Sequence, residues 1–63
     1  MRVHVEHIGL RVKPSEAFKR KSPHIVTGDG EIVGVHRNGS HFLVKWELYS
    51  QAMPTPPDFL EPV

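Results

Sequence analysis

The stretch Glu31-Ile32-Val33-Gly34-Val35-His36-Arg37-Asn38-Gly39-Ser40-His41-Phe42-Leu43-Val44-Lys45-Trp46-Glu47-Leu48 decides the fold. Asn38-Gly39 stands between two runs rich in β-branched and aromatic residues. An Asn-Gly pair favours a two-residue type I′ turn, because both central positions of that turn need positive φ. With the turn there, His36 faces His41, Val35 faces Phe42, Val33 faces Val44 and Glu31 faces Trp46. Side chains alternate along a strand, so Val33, Val35, Phe42, Val44 and Trp46 share one face, the predicted core face. Ile32, Gly34, His36, His41, Leu43 and Lys45 share the other and are expected to meet solvent. A slip of one residue would mix the two sets. Turn chemistry and hydrophobic pattern agree on a hairpin.

Working outward, Thr27-Gly28-Asp29-Gly30 reads as a turn leading into the hairpin, and His24-Ile25-Val26 as a short extended piece before it. Near the start, Val3, Val5 and Ile8 give partial alternation, Gly9 breaks it, and Leu10-Arg11-Val12 resumes. One or two short strands are expected within residues 2–13, with a bend at Gly9. From Pro14 to Pro23, Ser15 has the chemistry to cap a helical turn through Glu16-Ala17-Phe18-Lys19-Arg20, although an irregular excursion fits equally. Phe18, the one large apolar side chain there, is expected to tuck inward. In the tail, Pro54, Pro56 and Pro57 lack backbone donors and bar 54–57 from a central strand. Asp58-Phe59-Leu60 suits a single 3₁₀ turn whose apolar residues close the core.

The chain has 63 residues and no cysteine. It is one domain, residues 1–63, with neither disulfide nor thiolate chemistry available. At this size a single core rarely supplies more than about 3–5 kcal/mol, which suits a binding surface better than a strained active site. No apolar run reaches the length of a signal or membrane segment, so a soluble, cytoplasmic protein without a membrane partner is expected.

Several short strands, a long early loop, a tight hairpin and a turn before the last strand follow one another in this chain. That order resembles the SH3-like small barrels, which include the Tudor, chromo-barrel and KOW-type modules. The likeness rests on Gly9-Leu10-Arg11-Val12-Lys13, the loop 14–27, Gly28-Asp29-Gly30-Glu31-Ile32-Val33-Gly34-Val35, Phe42-Leu43-Val44-Lys45-Trp46-Glu47 and Leu60-Glu61-Pro62-Val63. It implies an all-β fold: one small SH3-like barrel of four or five short antiparallel strands with a 3₁₀ turn near the C-terminus. It also implies a scaffold that binds nucleic acid, histone tails, proline-rich peptides or neighbouring subunits; fold alone does not choose among them. A KOW-type module would carry bases near its glycine loop, where this chain has Asp29 and Glu31.

Charge is unevenly distributed. Residues 1–24 carry six bases (Arg2, Arg11, Lys13, Lys19, Arg20, Lys21) against Glu6 and Glu16, a balance of +4. Residues 25–63 carry Arg37 and Lys45 against Asp29, Glu31, Glu47, Asp58 and Glu61, a balance of −3. Phosphate contacts need cations on an exposed segment, so Arg11, Lys13, Lys19, Arg20 and Lys21 are the candidate face for nucleic acid or a nucleoprotein. The alternative is a protein-interaction adaptor, hetero- or homodimeric, using Ile32, Leu43 and Tyr49, since apolar side chains opposite the core would otherwise stay wet. Trp46 and Tyr49, with Phe42 or Phe59, offer a third surface of the kind that takes proline-rich or methylated peptides, though Trp46 and Phe42 are wanted for the core.

Five histidines raise a metal reading. His4 and His7 are spaced for a helix face rather than a strand. His36 and His41 are opposed across the hairpin but have no acid beside them, short of the three or four ligands of a zinc site. No carboxylate pair, nucleophile–base couple or phosphate-cradling loop is present. No metal, cofactor or enzymatic activity is expected.

Overall fold

In the computed structural model, which describes residues 5–63, alternation shows first in β1 (Arg11–Pro14), where Val12 is enclosed between exposed Arg11 and Lys13. Residues 2–4 of the expected first strand, with His4, lie outside the described residues. Val5–His7 is a 3₁₀ turn rather than strand, and Gly9 follows it with φ of 96°. Helix α1 (Glu16–Lys21) comes next, then β2 (Gly30–Val35), β3 (Phe42–Trp46), β4 (Met53–Thr55), a second 3₁₀ turn (Pro57–Phe59) and β5 (Leu60–Pro62). The strands form one antiparallel sheet, unclosed, in the order β4-β3-β2-β1-β5.

The hairpin forms where its sequence places it, with two corrections. The turn is not type I′. Gly39 takes φ of 74°, but no described residue other than glycine has positive φ, so Asn38 does not. Instead Gly39 N–H donates to the His36 carbonyl at 2.8 Å, and His36 N–H donates to the His41 carbonyl at 2.9 Å. A turn centred on Arg37 and Asn38 precedes the single left-handed glycine, so only one residue needs that region.

The second correction concerns register. Val35 pairs with Phe42 and Gly34 with Leu43 as expected, but the ladder shifts between Ile32 and Gly34. Beyond the shift Ile32 pairs with Val44, Glu31 with Lys45 and Gly30 with Trp46. A β-bulge adds one residue to one strand and reverses the facing of everything beyond it. Ile32 is therefore fully enclosed, while Val33 is 45% exposed. The physical reason lies at Glu31. In the unshifted register its carboxylate would enter the core beside Trp46, and an unpaired buried charge is costly. The bulge sends Glu31 outward and brings Gly30 against the indole. A Cβ on Gly30 would lie 2.8 Å from Trp46 Cε3, so only glycine fits there without displacement.

The enclosed core is Val12, Ile32, Phe42, Val44, Trp46 and Leu60, with Leu10, Phe18, Val35 and Tyr49 packed against it. The Leu60 position agrees with the expectation that the 3₁₀ turn closes the core. Both sheet edges carry proline, Pro54 in β4 and Pro62 in β5. Val63 N–H points inward to the Arg11 carbonyl, so the missing donor of neighbouring Pro62 faces outward.

Candidate functional site

Helix α1 stands at the centre of the most distinctive surface. Ser15 is its N-cap: the hydroxyl oxygen accepts from Phe18 N–H at 3.3 Å and its own proton goes to the Asp58 carbonyl at 2.7 Å. One side chain thus starts the helix and ties it to the second 3₁₀ turn. Ser15 N–H also donates to the Phe59 carbonyl at 2.9 Å. So anchored, α1 lowers Phe18 onto Trp46 (centroids 5.7 Å apart, edge-on) and Phe59 (5.1 Å).

Two clefts open on either side of this contact and share Phe18 and Ile25. One, of about 350 Å³, lies between α1 and the 25–29 segment, lined by Pro14, Phe18, Ile25, Val26, Lys19 and Asp29 among others. The second, about 160 Å³, is floored by Trp46 and walled by Phe18, Ile25, Tyr49, Met53 and Pro56. Its lining contains no charged side chain. The segment bearing Ile25 and Val26 is pinned to the β3–β4 connection by three bonds. Glu47 N–H donates to the Asp29 carbonyl (2.9 Å), Leu48 N–H to the Thr27 carbonyl (3.2 Å), and Asp29 N–H to Glu47 Oε1 (2.7 Å). Lys45 Nζ secures the connection from the other side through the Trp46 and Tyr49 carbonyls. Of the residues lining these clefts, Ile25 (46%), Val26 (70%) and Met53 (45%) remain exposed.

The five candidate phosphate-binding cations fall into two groups. Arg11 and Lys13 flank inward Val12 and so lie on the outer side of the sheet, whereas α1 packs on the core side through Phe18. On the outer side Arg11 is opposite Glu31, which is opposite Lys45; Lys13 is opposite Glu61, with Nζ–Oε2 of 4.0 Å. This face alternates in sign. Lys19, Arg20 and Lys21 form the last turn of α1, all exposed, with Glu16 Oε1 3.9 Å from Lys19. They are a local cluster of three against one acid.

Of the expected protein-interaction residues, Ile32 is corrected outright: it is a core residue at 0% exposure, because the bulge turned it inward. Leu43 is half-buried on the outer face, opposite Gly34 and Pro54. Tyr49 is half-buried on the core side, in the wall of the smaller cleft. They do not form one patch. Residues that sequence reasoning left out of the site, Ile25, Val26 and Met53, form its exposed rim. The signal was present in Ile25-Val26, two large apolar residues in a segment bounded by Pro23 and Gly28.

At the hairpin tip, His36 and His41 are opposed, with ring centroids 6.3 Å apart. Asn38 Oδ1 accepts from Ser40 N–H (3.0 Å) and Ser40 Oγ–H (2.7 Å) and lies 2.9 Å from His36 Nδ1. Ser40 Oγ lies 2.7 Å from His41 Nδ1. The Asn38 N–H also donates to His36 Nδ1 at 3.4 Å, so both rings turn their Nδ1 atoms into the loop. These rings fasten the loop. Among the described residues no three His, Cys, Asp or Glu side chains gather as metal ligands, and no helix is long and apolar enough to cross a membrane.

Comparison of the chain with protein-family models, curated proteins and solved structures finds no match.

Proposed function

We propose that this chain is a small, non-enzymatic binding module of SH3-like type whose working surface is the α1 end, where it docks a protein partner. The SH3-like part of the reading is supported by the order of elements: a long excursion between β1 and β2, a tight β2–β3 hairpin, and a 3₁₀ turn before the closing strand. The docking part is carried by one observation. Large apolar side chains that a monomer gains nothing by exposing (Ile25, Val26 and Met53) line clefts built with Phe18, Trp46 and Tyr49. Contiguous exposed apolar surface next to aromatic concavities is characteristic of interaction sites. Rim polarity comes from α1 and from Asp29.

Trp46, the single tryptophan, floors the smaller cleft and makes the test simple. Titration with acetyl-leucine amide or indole is expected to shift Trp46 side-chain and Tyr49 amide resonances saturably, and Ile25→Asp is expected to abolish the shifts. Shifts spread evenly over the sheet, or none at millimolar probe, refute the docking surface.

A second reading, nucleic-acid binding, is favoured by the exposed Lys19-Arg20-Lys21 turn. Fluorescent single- and double-stranded oligonucleotides titrated at two salt concentrations test it, because a phosphate-driven site must weaken with salt. Three cations predict shallow dependence, with a log–log slope of about −2 to −3. No binding at low salt eliminates this reading.

A further inference from the structure

We infer that the α1-end clefts take a protein segment with a bulky apolar anchor and carboxylates on one side of it only. The inference rests on the docking surface proposed above and adds the chemistry and orientation of its occupant.

The argument starts from the shape of the floor. Phe18 and Ile25 belong to both clefts and form a ridge between them. The smaller cleft, about 160 Å³ with a wholly uncharged lining, matches one large aliphatic or aromatic side chain. Burying such an anchor among aromatic walls is the pattern of an interface hot spot.

The rims are unlike. Along one side runs the last turn of α1, with exposed Lys19, Arg20 and Lys21; Lys19 itself lines the larger cleft. Across that cleft stands Asp29, next to Glu47, whose carboxylate is held by the Asp29 N–H. A segment seated in the clefts therefore meets positive potential on the α1 side and negative potential on the other. Carboxylates on the α1 side complete charge-assisted contacts, whereas the same groups at Asp29 are repelled. Rim charges of this kind set orientation and partner choice more than affinity. A uniformly acidic segment and a phosphate backbone both place negative charge along the whole cleft, Asp29 included, and are disfavoured relative to a segment that is acidic on one flank.

The test is selection of a displayed random-peptide library on the full chain, repeated on Ile25→Asp and on the triple variants Lys19→Glu/Arg20→Glu/Lys21→Glu and Lys19→Gln/Arg20→Gln/Lys21→Gln. Circular dichroism confirms that each variant is folded. Expected is a consensus of one bulky apolar residue with Asp or Glu on one flank, lost on Ile25→Asp. The Gln variant is expected to bind the selected peptides roughly tenfold more weakly, and the Glu variant to select Lys or Arg at the same flank. An apolar consensus without acidic preference overturns the inference and leaves the docking surface standing. No enrichment, or enrichment indifferent to Ile25→Asp, overturns both. Displacement of the selected peptide by an oligonucleotide at equal concentration overturns the inference in favour of nucleic acid.

Discussion

Phe18 meets Trp46 edge-on, its ring centroid 5.7 Å from the indole, and this contact joins the excursion between β1 and β2 to the core. Phe18 is the one large apolar side chain that α1 contributes. Phe18→Ala is expected to cost about 2–3 kcal/mol, below the range for a fully enclosed aromatic because the ring is only half-buried. For a domain of roughly 3–5 kcal/mol total, that lowers the urea midpoint by about half or more, as followed by Trp46 fluorescence. Phe18→Leu is expected to recover about half of the loss.

The bulge makes a sharp prediction about neighbouring residues. Ile32→Asn places an amide in the enclosed core and is expected to leave the chain unfolded at 25 °C, whereas Val33→Asn changes stability by about 0.5 kcal/mol or less. Equilibrium unfolding of the two variants side by side decides the register, since the unshifted ladder demands the reverse order.

Gly30→Ala is expected to cost about 1–3 kcal/mol through overpacking, because the new methyl would lie 2.8 Å from Trp46 Cε3 and 2.9 Å from Val44 Cγ1. Trp46→Leu in the same chain relieves the contact with the indole, though not that with Val44, so the two costs should fall short of additivity in a double-mutant cycle. Additive costs would mean that the two positions do not touch.

Ser15→Ala removes both the helix cap and the bond to the Asp58 carbonyl. A loss of about 1–2 kcal/mol is expected, with faster amide exchange at Phe18 and Lys19, measurable by NMR. Unchanged exchange at both amides would mean that the cap contributes nothing.

The hairpin, the Ser15 cap, inward Phe18 and the 3₁₀ turn ahead of Leu60 were legible because each rests on local chemistry: a turn dipeptide, a capping hydroxyl, a lone apolar residue, a run of prolines. The bulge was not read, although Glu31 announced it. Extending strict alternation from Asn38-Gly39 drove a carboxylate against Trp46, and that conflict needs one extra residue in β2 to resolve. The error carried Ile32 from core to surface and Val33 the other way. The candidate site was legible only in part. Lys19, Arg20 and Lys21 are contiguous in sequence, but the clefts beside them join residues from α1, the 25–29 segment, β3 and β4, and such long-range pairing leaves no local trace. Arg11 and Lys13 read as part of a basic cluster until strand pairing set Glu31 and Glu61 opposite them.

Pro54 and Pro62 have a consequence for how anything is recognised here. With an imide nitrogen at the middle of β4 and at the end of β5, neither margin of the sheet can hold a continuous run of main-chain bonds to an incoming strand. A bound segment would therefore not be held by adding a strand to either margin. Its backbone need not adopt an extended form.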